Sequence, residues 1–141
     1  MNEIAAWASA IGLLGTAVAL WLNWIEVRQT QQIAQSEFED DYSREYRELT
    51  QGIPIEALLG ENIPDEEYRK AFDKLFRYID LCNEQVFLHS KGRIGNATWI
   101  NWRSGIKSNL ELPAFKKAWE EIKKRCESFQ ELRDLEQSGY Q

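Results

Sequence analysis

From residue 4 to residue 25 the chain carries no charged side chain, and this run limits what it can become more than any other feature. Wound as a helix rising about 1.5 Å per residue, 22 residues span roughly 33 Å. That matches the ~30 Å hydrocarbon core of a bilayer. Trp7 stands near one end and Trp21 and Trp24 near the other, as expected of membrane-interface anchors whose amphipathic indoles favour the headgroup level. A cleaved export signal fits less well: its positively charged start is missing, and Trp21, Leu22, Trp24 and Ile25 stand where a cleavage site needs small residues. A buried core helix would have to be wrapped on every side by a charge-rich chain. The run therefore reads as one transmembrane helix, with residues 1–27 as the anchor.

Two stripes follow the run in alternating steps of four and three. Ala5, Ser9, Gly12, Thr16, Ala19 and Asn23 are small or polar, whereas Trp7, Ile11, Leu14, Val18, Trp21 and Ile25 are large. Lipid tails are as apolar as Leu, so helices in a bilayer associate through close backbone approach and occasional polar contacts. The small stripe is thus a candidate helix-packing face and the large one a lipid face. Gly12 and Gly15 do not form a phosphate loop, which needs a strand-to-helix turn facing water.

All 17 Lys and Arg residues lie from Arg28 onward, and Glu3 is the only charge in the first 25 positions. Counting the basic residues that flank the run, Arg28 and Arg44 after it and none before, places the C-terminal domain in the cytoplasm. Cys82 and Cys126 each fall within an apolar helical stripe, where a free Cys behaves as a small buried hydrophobe; a disulfide stays open as the alternative. With a cytoplasmic domain, the Asn96-Ala97-Thr98 sequon is a chance match.

Neither Pro nor Gly occurs between the run and Gly52, so the helix is expected to continue into water. There Ala34, Phe38, Tyr42, Tyr46 and Leu49 give it a narrow apolar stripe that needs a partner surface. Glu37, Glu39, Asp40 and Asp41 point in several directions around such a helix and read as a solvated face, not a metal site. Gly52, Pro54, Gly60 and Pro64 punctuate the main break. A second long helix is expected from Asp65 as N-cap to just before Gly92, with Tyr68, Phe72, Leu75, Phe76, Ile79, Cys82, Val86 and Phe87 inward. A third runs from about Thr98 to Leu110. A fourth starts at Pro113, a favoured first helical position, and carries Phe115, Trp119, Ile122, Cys126, Phe129 and Leu132 on one inner face. No stretch alternates with a period of two. Fold class is thus all-α, an anchor followed by a helical bundle over residues 28–136 and a frayed tail over 137–141.

Motifs for catalysis are missing: there is no GxSxG, HExxH or P-loop, and no strand to seat a dinucleotide. His89 is the only histidine. It shares a helix with Asp80, Asn83 and Glu84, but no pair has the Glu-x-x-His spacing of bundle metal sites; Asn83 and Glu84 are expected to bond backbone groups or water. Neither metal nor cofactor is expected, and no enzyme activity. One segment departs from the acidic background: between Glu84 and Glu111 no acid occurs, while Lys91, Arg93, Arg103 and Lys107 surround Trp99 and Trp102. These four cations are candidate contacts for anionic headgroups. The simpler reading makes Trp99 and Trp102 core anchors aligned with Ile106 and Leu110. A net charge of −6 speaks against nucleic acid as partner.

The combination of EFEDDYSREYRELTQGIPIEALLGE, FRYIDLCNEQVFL and GRIGNATWINWRSGI after an N-terminal apolar run resembles a family of small, single-span bacterial membrane proteins of unknown function. That resemblance implies a bacterial inner-membrane location and an anchored helical architecture, and brings no catalytic or binding residues. The expected function is a non-enzymatic interaction module, an accessory subunit or scaffold whose partners are the bilayer, a second copy of itself or a larger membrane complex. The alternative is a homo-oligomeric channel or membrane-perturbing effector, for instance in phage defence or exclusion, with Ser9, Thr16 and Asn23 lining the pore.

Overall fold

The structure, a computed structural model, describes the backbone of residues 2–141 and the side chains of residues 13–141. Among the described residues six helices follow one another, α1 (Asn2–Thr50), α2 (Ile55–Leu58), α3 (Asp65–Ser90), α4 (Asn96–Leu110), α5 (Pro113–Arg125) and α6 (Gln130–Gln137), so the fold is all-α as expected. The chain divides into two compact units, Met1–Glu37 and Phe38–Gln141.

Among the described residues of the first unit most large apolar side chains are exposed. Leu14 is 67% exposed, Trp21 60% and Trp24 51%. The guanidinium of Arg28 lies 4.1 Å above the Trp24 ring, a cation–π contact on the helix's own surface. Among the described residues no helix is long and apolar enough to cross a membrane. The span expected over 4–25 is therefore not carried by the described part of α1. Described side chains begin at Leu13, so Glu26 closes the uncharged stretch well short of the ~20 residues a span requires. Ala5, Trp7, Ser9 and Gly12 lie outside the described residues.

The second unit is a bundle around α3. Its core joins Leu75, Ile79 and Cys82 of α3 to Phe115, Ala118, Trp119 and Ile122 of α5 and Leu132 of α6, all essentially solvent-free. Tyr42 and Leu49 of α1 are buried in the same core. Phe38 stacks on Tyr42, and Tyr46 meets Tyr78 edge-on, so the narrow stripe after residue 37 has its partner surface within this unit. From the expected α3 stripe, Phe76 and Phe87 remain more than a third exposed, while Ala71, Tyr78, Leu81, Gln85 and Leu88 join the buried side.

Helix boundaries follow local chemistry with two differences from expectation. Pro64 occupies the N-cap of α3 and Asp65 is its first helical residue; the Asp65 carboxylate accepts instead from Lys117 Nζ at 2.7 Å. The expected fourth helix is two helices. After Arg125 the backbone of Cys126 is extended, and Phe129 adopts a left-handed conformation at φ 66°, which is costly for a residue with a Cβ. Arg133 reaches back to make the break stable: its guanidinium donates to the carbonyls of Cys126 at 2.6 Å, Ser128 at 2.9 Å and Lys123 at 3.3 Å. It thereby answers acceptors that the end of α5 leaves without helical partners. Phe129 packs edge-on against Phe76 and Trp119.

Helix α3 ends in a Schellman arrangement. Gly92 takes φ +70°, its N–H donates to His89 and that of Arg93 to Leu88, a geometry in which Gly carries no Cβ penalty. The same pattern closes α6, where the Tyr140 N–H bonds Leu135 at 2.9 Å. Tyr140 packs partly buried on the core.

Candidate functional site

Two helix N-termini in the bundle are capped by side chains from distant helices. Gly95, the N-cap of α4, has no side chain to offer. The Glu39 carboxylate supplies what is missing: it accepts from the Gly95 N–H at 3.0 Å and from the Thr98 hydroxyl at 2.7 Å. A carboxylate at a helix N-terminus also faces the positive end of the helix dipole. Glu39 thus leaves the expected solvated acidic face and is half-buried. At α6 the N-cap is Phe129, and Asn83 Oδ1 accepts from the Leu132 N–H at 3.0 Å. Asn83 therefore bonds the backbone, as its position suggested, though of another helix.

With α1 and α4 fixed in this way, a cleft of about 350 Å³ opens among the end of α1, the middle of α3 and the outer turns of α4. Pockets of roughly 300–1,000 Å³ are the usual size for small-molecule sites. Aromatic rings form its walls. Tyr42 and Trp102 lie 5.8 Å apart, and Tyr46 and Tyr78 5.9 Å apart. Polar groups come from all three helices. Asn109 Nδ2 donates to the Tyr78 hydroxyl at 2.8 Å, which leaves its Oδ1 as an acceptor. Gln85 lines the cleft while only 6% exposed. Among the described residues its carboxamide makes no hydrogen bond, nor do the side chains of Asn101 and Arg47. Its amide atoms still reach solvent in the cleft: among the described residues the one buried polar side-chain atom without a partner is Trp119 Nε1. No Asp or Glu lines the cleft, so nothing there neutralises Arg47.

Burial raises the Tyr42 phenol far above its ordinary value, and the adjacent Glu84 carboxylate adds to the effect. Burial likewise pushes the Cys82 thiol up to about 12, which makes it a packing residue and no nucleophile. Both cysteines are free.

The expected site residues are scattered differently. Thr16, Ala19, Asn23, Trp21 and Trp24 are exposed on α1. Lys91 and Arg93 sit on the loop after α3, exposed; Lys107 is exposed on α4, and Arg103 half-buried. Trp99 is buried and stacks on His89 at 4.2 Å. Trp102 is a half-buried wall of the cleft. Among the described residues no group of three or more His, Cys, Asp or Glu is placed to hold a metal ion.

Sequence reasoning passed over Gln85. The signal was present, since Tyr78, Leu81, Gln85 and Leu88 keep the three-four spacing of one buried face. A carboxamide in that register interrupts an otherwise apolar row.

No family model, curated protein or solved structure matches this chain.

Proposed function

We propose that the chain is a non-enzymatic, membrane-anchored interaction module, with its helical bundle in the cytoplasm and its N-terminal helix in the inner membrane of a bacterium. One observation carries this reading: an uncharged run of 22 residues whose described large side chains Leu13, Leu14, Val18, Leu20, Trp21, Leu22 and Trp24 are more than half exposed. Water exacts a free-energy cost for such a surface, and lipid or a partner helix removes it. Small residues at Gly12, Thr16, Ala19 and Asn23 suit close approach by a neighbouring helix, a second copy or a subunit of a larger assembly. Arg28 and Arg44 on the C-terminal side set the direction of insertion.

Alkaline extraction of membranes from cells making the full chain tests the anchor. Retention in the membrane pellet is the expected result, and release into the supernatant would overturn the proposal. Packing through the small face is tested by cross-linking in membranes, where Gly12→Leu with Ala19→Leu should reduce the cross-linked species severalfold. Unchanged cross-linking would remove that face from the reading.

A further inference from the structure

We infer that the cleft bounded by Tyr42, Gln85 and Trp102 binds a mononucleotide, a ligand that joins a flat base to a phosphate. Each part of that chemistry has a counterpart in the lining. The half-buried indole of Trp102, held against the buried Tyr42 ring at 5.8 Å, presents aromatic surface against which a base stacks; such stacking accepts any base, because each has a π-face. Gln85 and Asn101 bring two carboxamides that make no bond within the described residues. A carboxamide carries a donor and an acceptor side by side, the complement of the edge of a nucleobase. Asn109 is already oriented by its bond to Tyr78, so its remaining oxygen is a fixed acceptor for an exocyclic amine.

Arg47 supplies the last element. It lies at the rim, exposed, on the final turn of α1, and its side chain makes no ion pair among the described residues. A guanidinium offers a planar fork of donors that matches phosphate oxygens bidentately. A simple carboxylate would also pair with Arg47, but it would leave the carboxamides of Gln85 and Asn101 without a partner edge. The inference does not depend on the membrane anchor, since every residue it uses lies in the second unit.

The test is calorimetric titration of the four ribonucleoside 5′-monophosphates into the full chain in mild detergent, with the matching nucleosides and inorganic phosphate as separate probes. At least one monophosphate should bind saturably and more tightly than its nucleoside or phosphate alone. Arg47→Met, at an exposed position that leaves the core intact, should weaken that binding about tenfold or more and leave the nucleoside unaffected. Gln85→Leu should abolish binding of both. Because a change at a buried residue can also disturb folding, Asn101→Ala at the exposed rim serves as a second probe of base recognition and should weaken nucleotide and nucleoside alike. The inference is overturned by any of three results: no saturable binding at millimolar monophosphate, phosphate binding as tightly as every nucleotide, or affinity unmoved by both Arg47→Met and Asn101→Ala.

Discussion

Leucine and tryptophan occur in both units of this protein, and their fates are opposite. In the first unit Leu13 is 73% exposed and Trp21 60%; in the second Leu75 is fully buried and Trp119 is 1% exposed. Composition therefore does not decide burial here. In the second unit each apolar stripe meets another, α3 against α5 and α6, with the last turns of α1 laid on the same core. In the first unit the described large side chains of one helix are mostly exposed. Hydrophobic residues become a core only when the sequence supplies a facing surface at the right spacing, and otherwise they describe a surface meant for something else.

The sharpest way to break this comparison is to remove one large side chain from each unit. Phe115→Ala empties a fully buried site and should cost about 3–5 kcal/mol of unfolding free energy. Leu14→Ala, at an exposed position, should change it by less than about 0.5 kcal/mol. Denaturant unfolding followed by helical circular dichroism gives both values, and similar losses would mean that the first unit has a core of its own.

A charge placed in the first unit sharpens the comparison in the other direction. With the first unit placed in the bilayer as proposed above, Val18→Arg should raise the free energy of membrane insertion by about 2.5–3.5 kcal/mol while leaving the bundle's unfolding midpoint unchanged. The ratio of pelleted to soluble full chain after extraction measures the first effect. A variant that stays fully in the pellet would show that residue 18 does not face lipid.

Within the second unit, Glu39→Ala removes the carboxylate from Gly95 and Thr98 and should cost about 1–2 kcal/mol. Amide exchange at residues 95–98 should accelerate together with the global loss. An unchanged midpoint would mean that the α4 terminus is satisfied by water equally well.

The smallest expected effect is a pH dependence. Burial lowers the His89 imidazole below its ordinary value, and the neighbouring Arg103 charge lowers it further. The fold thus favours neutral His89. Its contribution is complete above the unfolded value near 6.5 and is lost as pH falls through the lower folded value. From pH 7 to about pH 5 the thermal midpoint of the natural protein should fall more than that of His89→Phe. Parallel pH profiles would exclude a role for the imidazole. As the only histidine, its titration is also directly visible by NMR.

Much of the helical order was legible because its signals are local. Pro113 at the first position of α5, the Gly92 stop and the stripes of α3 each act within a turn or two of themselves. The break between α5 and α6 was not, because no Gly or Pro marks it. It exists through Arg133 gathering three carbonyls and through aromatic packing that holds Phe129 in a left-handed conformation, and neither can be seen before the chain is folded. The caps donated by Glu39 and Asn83 were hidden for the same reason: each partner lies about fifty residues away. Trp102 looked like a core anchor because it shares a register with Ile106 and Leu110. Only the approach of α1 turns it into the wall of a cleft.

The Glu39 contact also has a meaning in time. Its partners at Gly95 and Thr98 follow it by 56 and 59 residues, and a ribosome adding ~5–20 residues per second needs roughly 3–12 s to make that length. Throughout that interval the end of α1 exists without the helix it is to cap. Tyr42 then has no Trp102 to pack against, so the nascent chain passes through a stage in which two adjoining stretches of α1 are both apolar and both uncovered. One of them is later buried by the bundle, and the order of synthesis gives the other its opportunity first.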